Sequence, residues 1–318
     1  MATHPGGLTA SAPAAATAPS AAAPAVVLDR LSRRFGTRTV LDGVDLRIPD
    51  GQFVALVGRS GSGKSTLLRA IAGIDHEVEG DGRILAPDRV SVVFQDSRLL
   101  PWRRVLDNVL LGLPRRGAPG AAAAARGRAA LAEVGLAGRE DAWPSELSGG
   151  EAQRAALARS LAREPELILA DEPFGALDAL TRIKMHALLR ELWQHHGPTV
   201  LLVTHDVDEA VLLADRALVL EEGRFSLDLP IDLPRPRSAK DPRFAEYRER
   251  LLAALGVREE ADAVAPGAVA PGAADAAAGA VTAGVAAESE SVAPPVAPPV
   301  ALPVALPEPV ARFVEAAV

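Results

Sequence analysis

Residues 53–74 read FVALVGRSGSGKSTLLRAIAGI, and this stretch decides the fold. Phe53 to Val57 is a short, wholly apolar run of the kind that forms a strand buried on both faces of a sheet. It leads directly into Gly58-Arg59-Ser60-Gly61-Ser62-Gly63-Lys64-Ser65, which satisfies the pattern G-x-x-x-x-G-K-[ST], with Thr66 next in the same phosphate-binding segment. STLLRAIAGI then reads as a helix. Glycines at these spacings let backbone N–H groups converge on phosphate oxygens, and the following helix adds the positive end of its dipole. Lys64 is placed to reach β- and γ-phosphates, and the Ser65 hydroxyl to ligate Mg2+. A glycine-rich turn that merely contains a lysine explains neither the strand before it nor the helix after it.

Outward from this stretch the periodicity switches in an informative order. VVLDRLSRRF (26–35) and VLDGVDLRI (40–48) alternate as antiparallel strands do, and Pro49-Asp50-Gly51 is a turn. Residues 83–85 and 90–94 read as further strands. Residues 167–170 and 199–203 are short apolar runs that suit buried parallel strands, with a helix over 181–195 between them. Strands alternating with helices predict an α/β fold on a parallel sheet. The edge strands near both ends of this zone supply its antiparallel portion, and residues from about 96 to 163, rich in Ala, Leu and Arg, form a helical insertion.

Composition divides the chain into three zones. Residues 1–25 are an Ala/Pro/Thr/Ser-rich leader expected to be disordered, residues 26–257 have globular composition, and residues 258–318 are an acidic Pro/Ala-rich tail read as coil or polyproline II. PVARFVEAAV at the end has the pattern of a short amphipathic turn of helix, but reads rather as a frayed end. The tail carries eight carboxylates against two arginines, which is most of the net charge of -7, so the globular zone is nearly neutral. That balance argues against a nucleic-acid partner. Cysteine is absent, excluding disulfides and thiolate metal sites. No run reaches the roughly 18–20 apolar residues of a spanning helix, and the leader lacks the features of a signal peptide. Any membrane role must therefore come through a partner.

Two further motifs carry chemistry. Leu167-Ile168-Leu169-Ala170-Asp171-Glu172 is an apolar strand ending in two carboxylates, which puts them at the sheet edge where the glycine-rich loop also emerges. Asp171 suits a metal-holding role and Glu172 can polarise an attacking water. Ser148-Gly149-Gly150-Glu151 opens the helix EAQRAALARSLA. Ser148 with Glu151 three residues on is a capping box, while exposed Ser and Gly backbone at a helix start is also an anion site. The residues leave both readings standing, and the two are compatible.

Taken together, the glycine-rich loop, LSGGE (147–151) and LILADEP (167–173), in this order and spacing, resemble the ATP-binding-cassette family over residues 26–257. The resemblance implies a P-loop NTPase (RecA-like) α/β core with a helical signature subdomain, using ATP and Mg2+. It implies a head-to-tail dimer in which Ser148, Gly149, Gly150 and Glu151 of one copy close over the γ-phosphate held by the other. It matches Phe35, twenty-nine residues before Lys64, to the aromatic that stacks on adenine. Gln95 matches the glutamine that touches the metal or water and senses the transport partner. Gly175-Ala176-Leu177-Asp178 matches the D-loop, and His205 the switch histidine at the γ-phosphate. Isolated histidines such as His76 and His186 read as surface or core filler. Glu151 departs from the family, where glutamine is commoner, and a carboxylate so near phosphate is expected to slow closure modestly.

The stretches RLLPWRRVLDNV (98–109), DEPFGALDALTRIKM (171–185), LLVTHDVDEAVLLADR (201–216) and SLDLPIDLPRPR (226–237) look like the nitrate/sulfonate/taurine group of importer ATPases. LDALTR, LWQHHG and DLPRPR are nearest to the aliphatic-sulfonate importers. This resemblance implies a subunit at the cytoplasmic face of the membrane, working with separate permease subunits and, through them, a solute-binding protein. Leu99, Leu100, Trp102 and Val105 offer either a permease-docking surface or ordinary core, and the importer resemblance favours the first.

Overall fold

The computed structural model describes residues 24–257, apart from residues 77, 112 and 114–119. The acidic tail, including the terminal stretch PVARFVEAAV, and residues 1–23 of the leader lie outside the described residues.

Strand β3 (Phe53–Val57) is buried along its whole length. Its residues divide by parity. Phe53, Ala55 and Val57 enter one apolar cluster, Val54 and Leu56 another. The same split recurs in β6 (Leu167–Asp171) and β7 (Thr199–Thr204), where Ile168, Ala170, Val200 and Leu202 face the first cluster and Leu167, Leu169, Leu201 and Val203 the second. A period of two with both faces apolar requires a sheet covered on both sides. With β5 (Val90–Phe94), β8 (Arg216–Glu221) and β9 (Arg224–Pro230), these strands form a six-stranded sheet in the order β5-β6-β7-β3-β8-β9. All neighbours are parallel except β9, which pairs antiparallel with β8.

The amino-terminal strands do not edge this sheet. β1 (Pro24–Phe35), β2 (Arg38–Pro49) and β4 (Arg83–Leu85) make a separate antiparallel sheet in the order β2-β1-β4. Its apolar face, with Val26, Leu28, Leu31, Leu41 and Ile48, joins Leu67, Leu68 and Ile71 of α1 (Lys64–Ile71) in the second cluster. Pairing of Pro24 with Pro49 starts β1 two residues before the boundary read at Val26.

Local sequence accounts for the helix ends. α5 (Ala179–His196) starts on Asp178, whose carboxylate accepts from the N–H groups of Leu180 and Thr181, and stops at Gly197 in the left-handed region. Asp206 caps α6 (Val207–Leu213) and Asp241 caps α7 (Pro242–Ala254), where Pro242 needs no N–H partner. Between β5 and β6 lie α2 (Val105–Leu110), α3 (Ala121–Glu133) and α4 (Gly149–Leu161), packed through Val105, Val109, Leu131, Leu136 and Leu157.

Candidate functional site

Four strand ends build the site. Register sets Val57 opposite Thr204, Asp171 opposite Val203 and Phe94 opposite Asp171. The loop carrying Lys64, the pair Asp171-Glu172, Gln95 and His205 therefore leave the parallel sheet at one edge, where ligands of such sheets bind.

The loop is shaped by glycines that admit no side chain. Gly63 sits at φ 107° at the start of α1, and a Cβ there would lie 2.9 Å from the Val40 carbonyl oxygen. A Cβ on Gly58 would lie 2.6 Å from the Leu220 carbonyl oxygen. The Ser62 hydroxyl is buried with no hydrogen-bond partner, which suits a cradle whose polar groups await a ligand. The loop borders a cleft of about 240 Å³ lined by Arg38, Val40, Ser60, Gly61, Gly63, Lys64, Ser65, Thr66 and Glu172. Lys64 donates to the carbonyl oxygens of Gly58 (2.7 Å) and Arg59 (2.9 Å). Burial pushes its pKa below the ordinary 10.5, while Glu172 and Asp171 pull the other way.

Ser65 donates its hydroxyl to Asp171 Oδ1 at 2.9 Å. Two hard oxygen donors so close suit Mg2+, which favours one or two protein ligands completed by phosphate and water. Among the described residues no cluster of three or more acidic or histidine side chains offers a fuller cage. Glu172 holds φ at 46°, a left-handed conformation that carries a strain of about 1 kcal/mol. Its N–H is tied to the Val203 carbonyl oxygen (2.9 Å), and its Oε2 lies 3.0 Å from His205 Nδ1. A carboxylate on the cleft wall paired with a solvent-exposed imidazole is a workable base and proton partner.

The other sequence-derived residues sit around this centre. Phe35 stands half-exposed at the tip of the β1–β2 hairpin, whose Arg38 and Val40 line the cleft. Gln95 lies against Gly175, where an added Cβ would come within 3.1 Å of its amide nitrogen. Ser148, Gly149, Gly150 and Glu151 line no part of the cleft. They form the start of α4, with Ser148 Oγ accepting from Glu151 N (3.3 Å) and Ser148 N donating to Glu151 Oε2 (2.9 Å). The capping box is thus formed, and Glu151 is further occupied by Arg139, whose Nε and Nη2 donate to Oε1 at 3.3 and 3.0 Å. The Ser148 backbone N–H, then Arg139, hold the Glu151 carboxyl at a pKa of about 2. The helical-region surface also resolves: Val105 is core, Leu99 and Leu100 are half-buried, and Trp102 is 70% exposed.

Several contributors escaped the sequence reading. Arg38 and Val40 reach the cleft from a different sheet, which no local pattern signals. Arg139 meets Glu151 through the fold of a loop. Asn108, fully buried, accepts from Leu100 N and donates to the carbonyl oxygens of Leu100, Arg103 and Arg104, fixing the loop that presents Trp102.

The chain is similar to known proteins in sequence and in fold. The ABC transporter family profile matches residues 41–175. An aliphatic sulfonates import ATP-binding protein of Streptomyces avermitilis is 75% identical over 236 residues, covering 74% of this chain and 92% of that protein. A protein of the same description from Nocardia farcinica is 71% identical over 227 residues, covering 71% and 92%. Among solved structures, a dimeric ATP-binding cassette in a post-hydrolysis state bound to ADP and Pi aligns with TM-score 0.58 and 32% identity, covering 66% of this chain and all of that one. With a glycine-cradled lysine, a serine–aspartate oxygen pair and a glutamate–histidine pair at one sheet edge, and with relatives this similar over nearly their full length, the chain belongs to the ABC transporter family as an ATP-binding subunit.

Proposed function

We propose that this chain is the ATP-hydrolysing subunit of an importer for small organic anions, aliphatic sulfonates first among them, and that two copies work as a pair beneath a separate membrane permease. The observation that carries the ATPase reading is the convergence of Lys64, Ser65–Asp171 and Glu172–His205 on one cleft edge. The names of the similar import proteins support the cargo. No helix among the described residues is long and apolar enough to cross a membrane. The import-subunit names of the similar proteins support attachment through the permease at the cytoplasmic face.

In this mechanism Phe35 stacks on the adenine and backbone N–H groups of residues 58–66 surround the phosphates. Lys64 turns from the Gly58 and Arg59 carbonyl oxygens to the β- and γ-phosphates, its ammonium already partly stripped of water. Mg2+, held by Ser65 and Asp171 with Gln95 nearby, would neutralise charge developing on the phosphates. Glu172 orients the attacking water and accepts its proton, and His205 donates toward the γ-phosphate. Ser148, Gly149, Gly150 and Glu151 of a second copy complete the phosphate shell, a reading supported by the dimeric arrangement of the similar solved cassette. Trp102, the most exposed tryptophan, is the permease contact.

The cargo is tested by growth. A strain lacking the gene is expected to fail on an alkanesulfonate as sole sulfur source, to recover with the wild-type gene, and not to recover with Glu172→Gln. Unimpaired growth on alkanesulfonates, with loss of growth on taurine or nitrate instead, would move the assignment within the importer group. Recovery of the chain with ribosomes rather than a permease would remove it from transport altogether.

A further inference from the structure

Behind the His205 loop lies a buried polar strut that the proposed mechanism leaves unused. Glu209, on the first turn of α6, is 4% exposed. Its Oε1 meets His186 Nε2 of α5 at 2.8 Å, and its Oε2 accepts the hydroxyl of Thr204. That hydroxyl in turn accepts the backbone N–H of Asp206 at 3.0 Å. An ionised carboxylate only accepts, so His186 donates from Nε2, and the single Thr204 proton goes to Glu209. Both Glu209 oxygens and the Thr204 hydroxyl are thereby given partners.

The placement matters because Thr204 and Asp206 flank His205. The His205 ring is 65% exposed and meets Glu172 Oε2, so its backbone, more than packing around it, sets where it reaches. Both neighbouring residues are fixed by the Thr204 hydroxyl, and that hydroxyl is fixed by Glu209. The strut continues outward. The His186 ring packs edge-on against Phe174, with centroids 4.9 Å apart, and Phe174 is buried two residues after Glu172. One turn before His186, Arg182 donates to the Leu177 carbonyl oxygen and lies 3.8 Å from the Asp206 carboxylate. Thus α5 grips both the segment leaving Glu172 and the segment carrying His205.

We propose that Glu209, held by His186, is a positioning residue for His205: it fixes the Thr204–Asp206 backbone so that the imidazole stays in reach of Glu172. The inference rests on the reading of His205 as a participant in hydrolysis. A buried carboxylate is an expensive way to hold two helices together, and apolar side chains of similar volume commonly do so at least as well. Its use here is directional. Two acceptor oxygens specify the rotamers of Thr204 and His186 at once, which apolar packing does not.

The test is turnover and KM for MgATP in the purified full chain, with thermal midpoints and monomer affinity for a fluorescent ATP analogue measured alongside. Glu209→Gln keeps the volume but places a donor where one of the two acceptors is needed. It is expected to lower kcat about tenfold, with KM and analogue affinity changed less than about twofold. His186→Gln, which still donates to Glu209, should retain most turnover, whereas His186→Ala should resemble Glu209→Gln. Added to His205→Ala, Glu209→Gln should lower kcat no further, because its effect passes through the missing ring. Wild-type turnover in Glu209→Gln would overturn the proposal, as would a loss of nucleotide affinity equal to the loss of kcat, or full additivity with His205→Ala. Wild-type turnover in His205→Ala itself would instead remove His205 from hydrolysis and take the proposal with it.

Discussion

Glu151 brings a negative charge to the motif expected to meet a γ-phosphate, and the structure shows how that charge is contained. One carboxylate oxygen is bound by the Ser148 N–H and the other by Arg139. The expectation that Glu151 slows closure is thereby sharpened, because Arg139 offsets the charge. Arg139→Ala should weaken ATP-driven pairing of two copies about two- to fivefold, the range of an exposed ion pair. Glu151→Gln on top of it should restore pairing, as read by sedimentation at a series of ATP concentrations. The carboxyl also has a pH signature. Its folded pKa of about 2 lies below the ordinary 4.5, so its stabilisation is complete above the ordinary value and is lost as pH falls toward 2. A carboxyl-edited NMR titration should find Glu151 still ionised at pH 3.5, and a midpoint near 4.5 would contradict the capping geometry. Ser148 and Glu151 were legible in the sequence because a capping box is a local rule at spacing three. Arg139 was not, since it reaches Glu151 across a loop with no periodic relation to α4.

At the scale of elements, the alternation of β3, β6 and β7 between two apolar clusters is what brings the catalytic ends together. Leu202, fully buried in β7 two residues before Thr204, should report this. Leu202→Ala is expected to cost about 2–5 kcal/mol, seen as a lower denaturation midpoint at unchanged slope. The loop presenting Trp102 is held differently, by the four hydrogen bonds of Asn108. Asn108→Ala should lower permease-stimulated ATP turnover several-fold while basal turnover stays within about twofold, since the buried backbone groups it abandons lie in that loop. Apolar strands, caps and the glycine-rich loop were readable because each obeys a short-range rule. The separation of β1, β2 and β4 into their own sheet was not, because β4 joins β1 across more than fifty intervening residues. The cleft residues Arg38 and Val40 were hidden for the same reason: strand pairing at a distance decides where they point.

For the molecule as a whole, one chain offers a cleft with a lysine, a metal-suited oxygen pair and a base, while the start of α4 lies outside that cleft. The sequence motifs carried both halves, but nothing local to either half says whether they meet within a chain or between chains. The central claim is that ATP joins them between two copies, and blocking hydrolysis isolates this step. Sedimentation velocity of Glu172→Gln with and without MgATP tests it most directly, with turnover measured on the same sample. The account predicts monomer without nucleotide, a stable dimer with MgATP, and turnover reduced at least about 100-fold. A chain that binds MgATP yet stays monomeric, or that keeps near-normal turnover without Glu172, would contradict it.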